Sequence, residues 1–511
     1  MLLKPEQLGA NKALILQSIA ATKKKQEAKA TLKGGNTLMG KIKNMISLVN
    51  SKLGHYADKL ICIRDIDELH AYITKAIEKG AISIDTETTG LDPITDQIVG
   101  ACIYTYGEKP AYVPINHVSY MTKVKLPNQL TEEQVANEFK RLMDANTKVI
   151  MFNAKFDIRV IRHQLGLYMT AAHCGFIAAK CLKNDEEEAN LKALWVKYCA
   201  EDKNEPTLTF GKMFDKINFS YVPIDTATLY AAKDALMTLE LYDFQMQFLD
   251  ENNPKCIACD FQRVAKLYRE IELPIINITA DIEDRGVVID KEYAASLEGE
   301  YQAELDKISA RFYKELENYK QQLNDYLAKN PKSKIETPFN IASPDQLAEL
   351  FYDCLGLPMV NRKKPRSTDK ETLKELNHPL GNIVIDYKAV AILLQTFIKK
   401  LPTVVNKKTN RLHCNFNQYG TDTGRYSSNN PNLQNIPSHD KSVRKMFTAT
   451  EEVNIESQDD TFSLLIEDEV KTLTGYKLSQ ELAVGDTLMC DDGNYTVKAV
   501  SREDKKILVT I

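Results

Sequence analysis

Apolar residues in the first half of the chain fall into short runs. Segments 81–85 (AISID), 97–104 (QIVGACIY) and 148–152 (KVIMF) have the length and β-branched content of buried strands. Between and after them the period changes. Segments 131–143 and 226–248 carry apolar residues at i, i+3 and i+4, the stripe of an amphipathic helix. Strands alternating with helices predict an α/β domain over 61–252. From about 255 the strand signals fade, and 259–285, 291–327 and 372–404 read as long amphipathic helices, interrupted by turn chemistry at 330–339 (NPKSKIETPF) and 362–366 (RKKPR). Past about 450 the texture becomes short β-rich runs with turns at Thr474-Gly475 and 490–494 (CDDGN) and a final strand at 507–511 (ILVTI), which predicts a small β module.

Composition narrows the class without naming a function. The chain has 511 residues, 66 Lys+Arg against 70 Asp+Glu, a net charge of −4 and 43% hydrophobic residues, which argues for a globular protein of about three domains and against disorder. No run of about 18 apolar residues is evident and the N-terminus lacks the apolar core of a secretory signal, so a cytoplasmic protein without a membrane partner is expected. Ten scattered cysteines fit reduced thiols rather than a disulfide framework. Charge is unevenly spread: residues 1–60 hold 11 Lys against Glu6, Glu27 and Asp58, a local balance of +8. This basic arm either holds a polyanion or is a solvated helical face. Cys256 and Cys259 form a lone C-x-x-C without a second pair, and 185–188 (DEEE) reads as a solvated turn.

The first candidate chemistry is carboxylate chemistry. Asp85 and Glu87, two apart at the end of a buried strand, point to one face and can share a metal. Asp157 follows the strand KVIMF in NAKFD, and Tyr230 and Asp234, four apart, project from one helix face. Such a set suits two-metal phosphodiester cleavage, in which hard oxygen ligands hold two Mg²⁺ or Mn²⁺ ions about 4 Å apart. These residues resemble the three motifs of the 3′-to-5′ proofreading exonucleases of RNase H-like fold: DTETTGLD at 85–92, NAKFD at 153–157 and YAAKD at 230–234. The resemblance implies that Asp85, Glu87, Asp157 and Asp234 bind the metals and that Tyr230 orients the attacking water. Leu91 and Phe156 are then either base-holding apolar faces at a single-stranded 3′ end or ordinary core residues.

A second constellation lies at 413–447 (HCNFNQYGTDTGRYSSNNPNLQNIPSHDKSVRKMF), dense in Asn, Gln, Ser and Arg where a core element would be apolar. Arg and Gln donors can check duplex geometry through the minor-groove acceptors that every base pair presents. The stretch resembles the palm entry of family A DNA polymerases, the group of bacterial DNA polymerase I, and phrases at 272–274, 283–290, 339–347 and 387–401 agree with it. The resemblance covers about 60–459. It implies that Arg425, Gln434 and Asn435 contact a DNA primer-template, that Arg444 lies nearby, and that Asp459 is the first catalytic, metal-binding carboxylate of the palm. Ile392 departs from the family, which usually shows Lys there. The expected organisation is thus a basic arm (1–60), an exonuclease domain (61–252), a mainly helical thumb (253–410), the first part of an α+β palm (411–459) and a β-rich tail (460–511).

After Asp459 the polymerase phrase breaks into Asp460-Thr461-Phe462-Ser463, and the second catalytic Asp of the palm does not follow. Segments 463–476, 480–487 (QELAVGDT) and 495–500 resemble the start of an intein's Hint module, whose first residue should be a thiol or hydroxyl nucleophile. Asp460 is no such nucleophile, so either the first residue has been replaced or the module begins later, with Ser463 the nearest hydroxyl. The expectation is the N-terminal portion of a phage-type DNA polymerase in a bacterial host cytoplasm, taking deoxynucleoside triphosphates only once a second polypeptide completes it. Two rivals stand beside it: a split-intein precursor whose role is trans-splicing, and a DNA-binding module with an inactive nuclease site.

Overall fold

The apolar runs at 81–85, 97–104 and 148–152 become the middle of a six-stranded mixed sheet. The protein is described here from a computed structural model that covers residues 37–448, apart from 187–188, 204, 206–208, 215–216, 422 and 438–439, and the strands between 461 and 510. The chain divides into two units, Met1–Met446 and Phe447–Ile511.

In the first unit, helix α1 (Leu38–Leu53) precedes strand β1 (Ile61–Cys62), helix α2 (Ile66–Lys79) and strands β2 (Ala81–Thr88), β3 (Ile98–Tyr104) and β4 (Ala111–Pro114). Helix α3 (Glu132–Asp144), strand β5 (Lys148–Met151), helix α4 (Ala154–Leu165), strand β6 (His173–Cys174) and helices α5 (Gly175–Leu182), α6 (Leu191–Tyr198) and α7 (Ile224–Leu249) follow. The strand order is β1-β4-β3-β2-β5-β6, with β2-β3-β4 antiparallel and the outer pairings parallel. β1, β4 and β6 escaped the sequence reading because strands of two to four residues carry too few positions to show a period.

Helix α7 lies against β2, β3 and β4 on a face of Ala227, Ala231, Ala232 and Ala235, small enough to let the backbones approach. The buried Ser83 hydroxyl of β2 donates to the Ala235 carbonyl at 2.6 Å, which fixes the axial position of α7 against the strand. Ile42, Met45, Val49 and Leu53 of α1 close this layer together with Phe214, Phe219 and Tyr230. The second half of the basic segment is therefore docked on one face, whereas residues 1–36 lie outside the described residues.

Beyond α7 the unit is mainly helical. α8 (Leu273–Arg285) packs on α4, and α9 (Lys291–Leu316) packs on α10 (Pro379–Ile392) around Phe312, Phe339, Leu347, Phe351 and Leu380. The expected helix at 372–404 is split: Asn377 is left-handed (φ 45°), and Pro379, which has no N–H to donate, starts a new helix capped by His378. The stretch Pro379–Thr403 is long and apolar enough to cross a bilayer by length and composition, contrary to the expectation that no such run exists. It carries Asp386, Lys388, Lys399 and Lys400, and its Leu380, Val384, Leu394, Ile398 and Leu401 are buried in the helical core. Ile392 is 57% exposed on it.

The second unit contains short antiparallel strands in a three-stranded and a four-stranded sheet, which matches the β-rich texture read from the sequence. Ser463 sits in Thr461–Leu465 opposite Leu508. Asp459 and Asp460 lie outside the described residues.

Candidate active site

Strand β2 delivers Asp85 and Glu87 to the face covered by α7. In the antiparallel register Asp85 stands opposite Cys102 and Glu87 opposite Gly100, and the register then slips between Glu87 and Thr88, a bulge that ends the pairing beside the carboxylates. The two carboxylates and the Cys102 thiol offer ligand atoms all within 4.8 Å of one another. Cys102, from β3, was not foreseen: the period of two is visible within one strand, but a cross-strand partner requires the register.

Asp157 comes from the first turn of α4, where a carboxylate complements the helix dipole. It is 2% exposed and accepts from the Thr86 N–H at 2.9 Å and the Thr86 hydroxyl at 2.7 Å, so the residue between Asp85 and Glu87 holds it in place. Asp234 and Tyr230 share one face of α7, as their spacing implied. Asp234 pairs with Lys192 of α6 at 3.0 Å through one oxygen, while its other oxygen is buried without a hydrogen-bond partner. Tyr230 is buried, edge-on to Phe214 at 4.6 Å, and the Lys192 ammonium lies 4.1 Å from its ring centroid. Lys192 is a second residue that the sequence did not mark, because nothing in 191–198 links it to a helix 40 positions on. Asp157 and Asp234 do not join the ligand group of Asp85, Glu87 and Cys102; they border it.

The electrostatics show how closely the four carboxylates crowd. Burial, then repulsion from Asp157, Glu87 and Asp234, raises Asp85 well above the usual carboxylate range, against the pull of Lys192. Glu87 is pushed up to about 8 by burial and Asp234. Asp157 rises to about 7 by burial, opposed by its Thr86 hydrogen bonds, and Asp234 is raised by burial against Lys192. Tyr230 moves up by burial and by the negative charges of Asp234, Glu87 and Asp85. This crowding of acid, with one carboxylate oxygen left without a partner, is a donor set that can hold a cation.

A cleft of about 1070 Å³ opens beside α4, walled by Leu91, Phe152, Phe156 and Phe176 on one side and by Asn415, Phe416, Gln418 and Tyr419 on the other. Leu91 is 89% exposed, which removes the core reading for it, while Phe156 is half-buried and packs against the sheet core. The second wall belongs to the hairpin Asn415–Asn417 and Ser427–Asn429, which leads into the polar loop. There Arg425, Gln434, Asn435 and Arg444 are exposed, and Gln434 donates to the Tyr426 carbonyl at 3.0 Å, which brings it beside Arg425. Arg444 ends a short helix capped by Asp440. Of the acidic stretch read as a solvated turn, residues 187–188 lie outside the described residues, and Glu186 is not solvated: it is 6% exposed and accepts from Lys197 and Tyr198 at 2.7 Å each.

Comparison with known proteins adds two family matches: residues 60–249 match the 3′-5′ exonuclease family and residues 302–461 match DNA polymerase family A. DNA polymerase I of Borreliella burgdorferi is 30% identical over 410 residues, 80% of this chain and 40% of that protein. DNA polymerase I of Pseudomonas aeruginosa is 29% identical over 391 residues, 74% of this chain and 39% of that protein. The chain thus spans about 40% of the length of these curated relatives. Among solved structures, the POL domain of Pol1 from M. smegmatis in complex with DNA primer-template and dNTP matches with a TM-score of 0.54 at 19% identity, over 76% of this chain and 57% of that one, a likeness of fold.

Proposed function

We propose that this chain, whose residues 60–249 match the 3′-5′ exonuclease family and whose residues 302–461 match DNA polymerase family A, trims single-stranded 3′ ends of DNA and grips a primer-template for nucleotide addition. The observation that carries the first part is the crowding of Asp85, Glu87, Asp157 and Asp234, with a buried Asp234 oxygen left for a cation. Two Mg²⁺ or Mn²⁺ ions held by these carboxylates would supply Lewis-acid activation of water and of the leaving oxygen. The chain's own groups do the positioning. Thr86 fixes Asp157, Lys192 offsets part of the negative charge, and Tyr230, one turn from Asp234, orients the attacking water. Leu91 and Phe156 in the cleft present apolar faces on which terminal bases stack without sequence preference.

Arg425, Gln434 and Asn435 are the groups that read the minor groove of the primer-template, with Arg444 alongside. Asp459 supplies one carboxylate for nucleotide transfer. The break in the polymerase phrase at 460–463 favours a second polypeptide as the source of the other. The match to family A ends at 461, where the strand Thr461–Leu465 begins; this supports reading the strands from there on as a Hint-like N-fragment that splices in trans, with Asp460 or Ser463 at the junction. A phage gene acting in a bacterial cytoplasm suits this reading and the free cysteines among the described residues.

The test is digestion of a 3′-labelled single strand by the full chain in Mg²⁺, with loss of activity in Asp85→Ala. Undiminished digestion by that variant sinks the site assignment, and no digestion by the wild type supports a DNA-binding module with an inactive nuclease site.

A further inference from the structure

We propose that the turn at Ser119–Val124, with Lys123 laid over Tyr221, anchors the phosphate backbone of the substrate strand outside the cleft; this rests on the DNA-trimming function proposed above. The sheet places the turn. In the register Gly100 of β3 stands between Glu87 of β2 and Pro114 of β4, so the chain leaving β4 emerges at the same sheet end as the carboxylates, two strand spacings or about 10 Å away. Its base is fixed: the His117 N–H donates to Gln129 Oε1 at 2.7 Å, His117 Nδ1 lies 2.8 Å from the Val222 carbonyl, and the Val118 N–H donates to the Ser220 carbonyl at 2.9 Å. At the tip Lys123 is left-handed (φ 61°), its N–H donates to the Ser119 carbonyl at 2.8 Å, and its ammonium lies 3.7 Å from the centroid of the Tyr221 ring. Tyr221 leads back to the site. It ends the turn Phe219–Tyr221, whose Phe219 ring lies 6.3 Å from that of Tyr230, and Asn218 just before it donates to the carbonyl of Thr89, two residues past Glu87, at 3.2 Å.

The chemistry of the tip fits a nucleic-acid strand. Met121 and Val124 are 68% and 64% exposed beside the exposed Lys123 and Lys125, so apolar faces for bases and ammoniums for phosphates lie together with no group that reads a base edge. Residues 115–131 contain no Asp or Glu. Neither does α1, whose Ile42, Met45 and Val49 belong to the cluster that Tyr221 packs against and which adds the exposed Lys43 and Lys52. The acids at the margin are engaged: Asp225 pairs with Arg64 at 2.5 Å, and Glu132 accepts from Asn116 at 2.7 Å. In a chain of net charge −4, these acid-free stretches supply the attraction for a polyanion that the four crowded carboxylates by themselves repel.

The full chain, kept from cutting by a chelator, is titrated into two 5′-fluorescent oligothymidylates, one of about 12 nucleotides and one of about three, and anisotropy is read between about 50 and 200 mM salt. Lys123→Gln should bind the long strand at least about threefold more weakly at the low end. A single-strand phosphate contact contributes about 0.7 to the slope of log affinity on log salt, so over that range the wild type should lose about 2.6-fold more affinity than the variant. Lys123→Arg, which keeps the charge, should restore the wild-type slope, and the short strand should bind all three chains alike. Wild-type affinity and slope for the long strand in Lys123→Gln overturn the proposal and leave the trimming function standing; so does an equal loss on the short strand, which makes Lys123 a part of the fold around the cleft. Lys123-dependent binding of the long strand by a chain that trims nothing in Mg²⁺ supports the anchoring point and refutes the trimming. Binding of neither strand by the wild type overturns both.

Discussion

Replacing Glu283 by Gln tests whether the helix that carries Asp157 is held in place by one buried charge. The Glu283 carboxylate is fully buried and accepts from Lys155 at 2.6 Å and Arg159 at 2.5 Å, both on α4, and from the Phe416 N–H at 2.6 Å. Breaking a buried ion pair by removing one partner costs about 3–5 kcal/mol, because the remaining charge is left desolvated. Here the cations keep other partners: Arg159 also pairs with Asp284 at 2.6 Å, and Lys155 also donates to Asn415 and to the Phe416 carbonyl at 2.8 and 2.6 Å. The low end, about 3 kcal/mol, is therefore expected. Chemical denaturation followed by the fluorescence of Trp195, the single tryptophan of the chain, reports on the part of the chain that carries the carboxylate site. The sign with pH is fixed by Lys155, whose ammonium is held below its ordinary range by burial while Glu283 opposes that shift. Without Glu283 the folded-state value falls further. A lysine depressed in the fold binds fewer protons than in the unfolded chain, so stability rises with pH from the folded value up to the ordinary one near about 10.4. The deficit of Glu283→Gln should accordingly shrink as pH is raised from neutral toward 10. A deficit below about 0.5 kcal/mol, typical of surface changes, would refute the reasoning.

Metal and pH should be linked in the wild type. Glu87 at about 8 and Asp157 at about 7 bind more protons folded than unfolded, so the chelated protein loses stability as pH rises from about 4.5 to about 8, and Mg²⁺ or Mn²⁺ restores it at the alkaline end; thermal melts with and without metal check this, and a metal-free melt that is flat across the window contradicts it. Lys192→Met removes the cation that opposes protonation of Asp85, Glu87 and Asp234, so the acid limb of the exonuclease pH profile should move to higher pH; an unmoved limb means that Lys192 only packs on Tyr230. Arg425→Ala should weaken binding to a primer-template duplex by about 1–3 kcal/mol without changing digestion of single strands, measured by titration of labelled duplex.

How much of this was legible in the sequence depends on range. The carboxylate pair on β2 and the Tyr230–Asp234 pair on α7 are spaced by the periods of strand and helix, so the faces they share follow from the backbone alone. The polar loop around Arg425 was legible for the opposite reason: so many hydrogen-bonding side chains in one stretch have no place in a core. Cys102, Lys192 and Glu283 were not legible, because each matters through a partner on another element: Asp85 by sheet register, Asp234 by helix packing, and Lys155 across 128 positions. The motif NAKFD shows both cases in five residues. Its Asp157 faces Thr86, and its Lys155, two positions earlier, turns to Glu283 of α8 and to Asn415 and Phe416 of the hairpin that begins the polar loop. Helix α4 therefore ties the carboxylate site to the hairpin through the Lys155 ammonium, alongside the Glu283 carboxylate that Arg159 and the Phe416 N–H share. Deleting that ammonium should loosen the hairpin and the placement of Asp157 together, whereas deleting the Thr86 hydroxyl should disturb Asp157 alone.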